Sequence, residues 1–262
     1  MPDFDEDFVG ELLGSRAHAA LASKLYRLGD ALRTNLLTAK IQTRPINTAI
    51  IFYFARGFKT YQAAITLLRI GFPQDAAVLA RVLREASYQV RWLVKGGDDA
   101  AQLFVQDYER NSRKVIHTLA EIAEPPEIKA RAQEIAESTP PDEELDEWWR
   151  NWWGKSKSIA WLASQVDSTA AYRLEYGNLS AFVHSSPALL NYYFRPREGG
   201  GAVLETRPGI ANENRGVAYT SLWTIFSAFL EICKTVCSQL TIDFAKELAE
   251  IEEDKKIFES QH

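Results

Sequence analysis

Apolar residues in this chain recur every three or four positions over long stretches. Leu21, Leu25, Leu28, Leu32 and Leu36 form one row, and Ile50, Phe54, Phe58, Tyr61, Ile65 and Leu68 form another. On a helix each row becomes a single stripe, whereas on a strand the same spacing would split it between two faces. The chain is therefore expected to be nearly all helix. A first helix is predicted from about Asp5 to Lys40. Pro45 marks the next start, with Asn47 as its N-cap, and Gly71-Phe72-Pro73 ends it.

A third helix is predicted from Gln74 to Lys95, stopping at Gly96-Gly97, and a fourth from Asp98 to Ala123. Pro125-Pro126 precedes a short helix from Glu127 to Glu137. Thr139-Pro140-Pro141 then opens a linker whose acidic run leads into Trp148-Trp149-Arg150-Asn151-Trp152-Trp153. Tryptophans at this density clamp a loop onto a core or fill an interface; a base-stacking platform is the other use. Pro196 to Pro208 contains Gly199-Gly200-Gly201 and reads as a loop or small hairpin. The last helices are expected from Asn214 to Gln239 and from Ile242 to Phe258, the second charged and solvated. Together these elements predict one all-α bundle domain over 1–262. Within it fall an N-terminal helix (1–46), a core (47–195), a loop or hairpin (196–213) and C-terminal helices (214–262).

A formal charge of −5 and a pI near 5.5 argue against a broad duplex-binding surface. The acidic N-terminus is not a secretory signal, and the uncharged run from Gly216 to Leu230 is too short to span a bilayer comfortably. A buried helix, no membrane association and a cytoplasmic location follow as expectations. Cys233 and Cys237 stand at i and i+4, where disulfide geometry is poor, so reduced core thiols are expected. His117 and Glu121 share a helix face but lack a third ligand and read as surface residues, and His18 reads as a helix-face residue. No metal and no cofactor are predicted.

Two segments carry polar groups at helical spacing. In the stretch from Tyr172 to Pro187, Arg173, Gly177, Ser180 and His184 fall within about 40° of one helical line. Gly177 within a helix costs about 1 kcal/mol relative to alanine, which a close backbone approach would explain. His184 falls in the last turn of its helix, where the dipole stabilises a cationic imidazole by about 0.3–1 kcal/mol. Upstream, Arg81, Arg84, Glu85 and Tyr88 lie at i, i+3, i+4 and i+7, opposite a broad apolar side. That face is either solvated, with Arg81 and Glu85 as a simple ion pair, or it packs on another polar helix or lines a cleft.

The segment from Trp153-Gly154-Lys155-Ser156 through Leu162-Ala163, Tyr172, Tyr176 and Ser180 to His184-Ser185-Ser186-Pro187 resembles an uncharacterised bacterial all-helical family of unknown function. Arg81-Val82-Leu83-Arg84-Glu85 matches that family's upstream motif. The resemblance runs roughly from Tyr53 to Tyr193. The family is in turn distantly similar to the HEPN superfamily of helical proteins, many of them metal-independent ribonucleases of toxin–antitoxin and anti-phage systems. Such nucleases place an arginine a few residues before a histidine, so that a proton can move and the phosphorane-like charge be stabilised. Here Gly177 or Asn178 stands where that arginine is expected, so a cation would have to come from another helix or a second subunit.

The resemblance thus implies a HEPN-like protein of bacterial defence or toxin type, acting on RNA or a nucleotide without metal. His184 would transfer the proton, Arg81 and Arg84 would hold phosphate charge, and Glu85 would orient them. Tyr88, Tyr172, Tyr176, Asn178 and Ser180 would contribute to binding, and a homodimer would be usual. The competing reading is a non-catalytic helical module for a protein partner or small anion, with the same residues forming a structural polar cluster. Both readings require the two polar helices to face each other.

Overall fold

Each apolar row does become a buried helical stripe. The protein is described by a computed structural model covering residues 16–138, 159–183, 193–196, 202–204 and 215–260. Its elements are α1 (Arg16–Thr38), α2 (Pro45–Arg69), α3 (Pro73–Ile122), α4 (Pro126–Ser138), α5 (Ile159–Gln165) and α6 (Thr169–Ala171). A π-helical turn (Tyr172–Tyr176) runs straight into α7 (Gly177–Val183). Strands β1 (Phe194–Pro196) and β2 (Ala202–Leu204) pair antiparallel, and α8 (Arg215–Leu240) and α9 (Ala245–Ser260) follow. The described fold is all-α apart from that short ribbon. The Trp148–Trp153 segment and the part of the predicted first helix before Arg16 lie outside the described residues.

Helices α1, α2, α3 and α8 meet in one apolar core. Leu21, Leu25, Leu28 and Leu32 of α1 are buried, as is every member of the α2 row from Ile50 to Leu68. Phe229 of α8 stacks on Tyr61 (centroids 4.6 Å apart, 21° between planes) and on Phe58 (5.7 Å, 12°). The Tyr61 hydroxyl donates to the Ala22 carbonyl at 2.7 Å, so this deep phenol does not strand its polar end. Gly29 lets α1 approach closely: a Cβ there would sit 2.6 Å from the Phe58 ring. α8 is long and apolar enough to cross a membrane by length and composition, yet 72% of its most apolar window is buried in the bundle. Cys233 and Cys237 lie within it as free, buried thiols.

The predicted break at Gly96-Gly97 is present: within the span labelled α3 two helical stretches meet across a kink at Gly97 (φ 63°, ψ −147°), a backbone region in which glycine is nearly alone. That kink brings Asp98 to the start of α2. Its carboxylate accepts from the Ile46 backbone N–H at 3.2 Å and from Arg44 Nη2 at 2.6 Å. Asn47 is therefore not the N-cap. It lies inside the first turn with its Nδ2 donating to the Gln42 carbonyl at 2.9 Å, while α2 takes its cap from Asp98, 52 residues away from Ile46. His18 is buried beside Tyr219 and does not lie on an open face. Charged α9 is also more than a solvated helix: Ile251 is buried, Asp254 pairs with Lys24 at 2.5 Å, and Glu252 pairs with Lys234.

Candidate functional site

The polar face of α3 is covered. Its apolar side, with Leu83, Ala86, Val90 and Leu93, packs into the core, but Arg84 and Tyr88 on the opposite side are just as deeply buried. What lies over them is the π-turn, the residues before α6 and the middle of α8. The two polar helices do meet, through two adjoining sets of bonds.

The outer set joins Arg81, Glu85 and Tyr176. Arg81 Nε donates to Glu85 Oε1 at 3.0 Å, and the Tyr176 hydroxyl donates to the same oxygen at 2.8 Å. Arg81 Nη2 donates to the Tyr176 oxygen at 2.5 Å, with the guanidinium carbon 4.6 Å from the ring centroid. Tyr172 stacks on Tyr176 one turn earlier, centroids 4.9 Å apart. Burial first, and then the hydrogen bond to the Glu85 carboxylate, push the Tyr176 phenol up to about 12. It is thus a neutral hydroxyl at ordinary pH, able to donate and unsuited to act as a base.

The inner set centres on Arg84, which is 1% exposed. Its Nε donates to Glu175 Oε2 at 3.0 Å, and its Nη2 donates to the same oxygen and to Ser227 Oγ, the latter at 2.5 Å. Its Nη1 donates to Glu231 Oε2 at 3.1 Å. Four of the five guanidinium N–H groups are therefore spent inside the protein. Burial alone would pull this guanidinium down, but Glu231 and Glu175 together outweigh it and hold Arg84 above its ordinary value, firmly cationic. Arg91 extends the set, donating from Nη1 to Ser168 Oγ at 2.6 Å and from Nη2 to the Val166 carbonyl at 2.5 Å, with Glu231 at 3.9 Å. Three arginines and three glutamates thus balance within one cluster.

The π-turn explains how adjacent residues can both reach α3. On a regular helix Glu175 and Tyr176 would point about 100° apart. The wider π geometry sends Glu175 to Arg84 and Tyr176 to Arg81. It also shifts the helical phase between Arg173 and Ser180, so these two do not share one line. Arg173 is exposed and Ser180 is half-buried. Asn178 is exposed and spends its amide on the Leu174 carbonyl of its own helix at 2.8 Å. Tyr88 is fully buried beneath Arg84, packed with Leu162, Ala163 and Val166, and its hydroxyl has no hydrogen-bond partner among the described residues. His184 lies outside the described residues. His117 and Glu121 are exposed, and among the described residues no group of three or more His, Cys, Asp or Glu could hold a metal.

Sequence reasoning missed Glu175, Ser227, Glu231 and Arg91. Arg91 could have been found, because it stands seven residues after Arg84 and so lies on the same helical line. Glu231 also carried a signal as the first charge after the uncharged run from Gly216 to Leu230. Glu175 had none, since helical phasing sets it apart from Tyr176.

No curated protein and no solved structure matches the chain. A family model does match, over residues 47–202, and its description is a family of unknown function (DUF5677). The matched region holds α2, α3 and the π-turn, and therefore Arg81, Arg84, Glu85, Arg91, Glu175 and Tyr176; Ser227 and Glu231 come from α8 beyond it. With more than half of its length matched, the chain belongs to this DUF5677 family of unknown function.

Proposed function

We propose that the chain is a non-catalytic helical binding module in which the arginine–glutamate cluster locks α3, the π-turn and α8 in one register. The observation that carries this reading is the state of Arg84, 1% exposed and already held by Glu175, Glu231 and Ser227. A cation that stabilises a phosphorane must gain contacts in the transition state that it lacks beforehand. Arg84 would first have to surrender its own ion pairs, and breaking a buried pair costs about 3–5 kcal/mol. A satisfied polar cluster does serve to specify how helices seat, because every misaligned packing strands a charge.

One observation favours a second reading, the HEPN-like ribonuclease. Arg81 and Glu85, with side chains 14% and 27% exposed, meet Tyr176 on a π-turn, an element frequent at functional sites. In that case Arg81, oriented by Glu85, would face the phosphate and His184 would move the proton. Incubating total RNA in chelator with wild type, H184A and R81A separates the two. The module reading expects no cleavage above buffer from any of them. Cleavage by wild type that H184A abolishes would overturn it in favour of the nuclease.

A further inference from the structure

The whole-chain charge conceals a division. Residues 16–74 hold nine lysines and arginines against one acid, Asp30, in a chain whose formal charge is −5. This surplus falls on α1, α2 and the residues between them, and α2 has no acid in its 25 residues. The narrow side of α2 that the bundle leaves open carries Phe52, Arg56 and Lys59, all exposed, Phe52 by 47%. At i, i+4 and i+7 they form one line, with the cations about 6 and 10 Å along the axis from the ring. Among the described residues neither Arg56 nor Lys59 has an ion-pair partner. Exposed Lys40 and Arg44 precede this line, Arg44 sharing its charge with Asp98. Phe52 is braced by Tyr53 (centroids 5.3 Å apart, 80°) and by Phe104 (5.5 Å, 45°), so the ring is held in place before any ligand arrives.

We propose that this face of α2 binds single-stranded nucleic acid, with phosphates on Arg56 and Lys59 and a base stacked on Phe52. The inference deepens the binding-module reading by naming its partner, at a surface that shares no residue with the Arg84 cluster. A ring can stack only on an unpaired base, and a cationic line beside it tracks a phosphate backbone. A duplex needs a broader basic surface. An anionic membrane calls for apolar groups that project past the cations, whereas Phe52 sits mid-helix against two other rings. An acidic peptide would engage the cations but have little use for the ring. Backbone charge and stacking do not distinguish the sugars, so DNA and RNA strands both fit.

The test is fluorescence anisotropy of labelled oligo-dT titrated with the full chain. Oligo-dT lacks the 2′-hydroxyl that metal-free cleavage requires, so its binding is independent of the RNA cleavage assay above. Wild type binds at low salt, with log K falling against log salt by about 0.7 for each phosphate engaged. R56E/K59E abolishes binding, R56Q/K59Q gives a graded loss, and F52A weakens binding on the order of tenfold while keeping the salt slope. All three variants change exposed residues, and circular dichroism melts verify that they fold. Absence of binding at low salt, or R56E/K59E binding like wild type, overturns the proposal. An unchanged affinity of F52A reassigns the face to an acidic protein partner. Adsorption to phosphatidylserine vesicles that oligo-dT does not displace reassigns it to a membrane.

Discussion

Replacing Arg84 with Met removes the cation at the centre of the cluster while keeping an apolar stem of similar length. Two carboxylates then lose a partner. Glu175, with its side chain 15% exposed, is left with a charge it cannot fully hydrate. Glu231 is 34% exposed and keeps Arg91 at 3.9 Å, so water and a second cation screen most of its loss. Stranding one partner of a buried pair costs about 3–5 kcal/mol, and the screening at Glu231 places R84M at about 3. For a chain of this size that is a melting temperature roughly 6–12 °C below wild type. Thermal unfolding followed by circular dichroism measures it, and R84M/E175Q supplies the second arm. Neutralising Glu175 removes the stranded charge, so the double variant recovers about half of the loss or more. The reasoning fails if R84M melts within about 3 °C of wild type, or if E175Q deepens the loss.

Tyr88→Phe removes a fully buried hydroxyl that has no partner among the described residues, and is expected to raise stability by about 1 kcal/mol; a lower urea midpoint would contradict the orphan assignment. Gly97→Ala costs about 1–3 kcal/mol through its positive φ alone, since a Cβ there meets nothing within 4 Å. Gly216→Ala, equally open and at the start of α8, is neutral or stabilising, so equal urea midpoints for the two variants refute the kink argument. Burial pushes Cys237 up to about 11 from an ordinary 9.0, and Tyr176 rises to about 12 from 10.0. Both folded values exceed the unfolded ones, so this stabilisation is complete below about pH 9 and is lost as pH rises toward 11 and 12. Urea midpoints are expected to fall across that window, and C237A/Y176F to flatten the fall; an unchanged slope in the double variant rejects these two groups as the cause.

Helix content and the core were legible because burial imposes a local period. The rows from Leu21 to Leu32 and from Ile50 to Leu68 name their own buried faces, and Cys233 and Cys237 follow the same logic in α8. The sequence also singled out Arg81, Arg84, Glu85 and Tyr88 as one face and left open whether it was solvated or packed. Helix ends were less legible. Asn47 has the right chemistry for a cap, yet Asp98 takes that place because the Gly97 kink delivers it from another helix.

Which residues share a side of a helix follows from the order of the amino acids alone, since it depends only on the pitch of the backbone. Which sides meet is set by the packing of the folded chain. Arg84 finds Glu231 across 147 residues and Glu175 across 91, and the π-turn that lets Glu175 and Tyr176 both reach α3 leaves no mark in the local pattern. An arginine reads the same in sequence whether water or carboxylates surround it. Its fate is set by the packing of distant segments, where desolvation must be matched by charge.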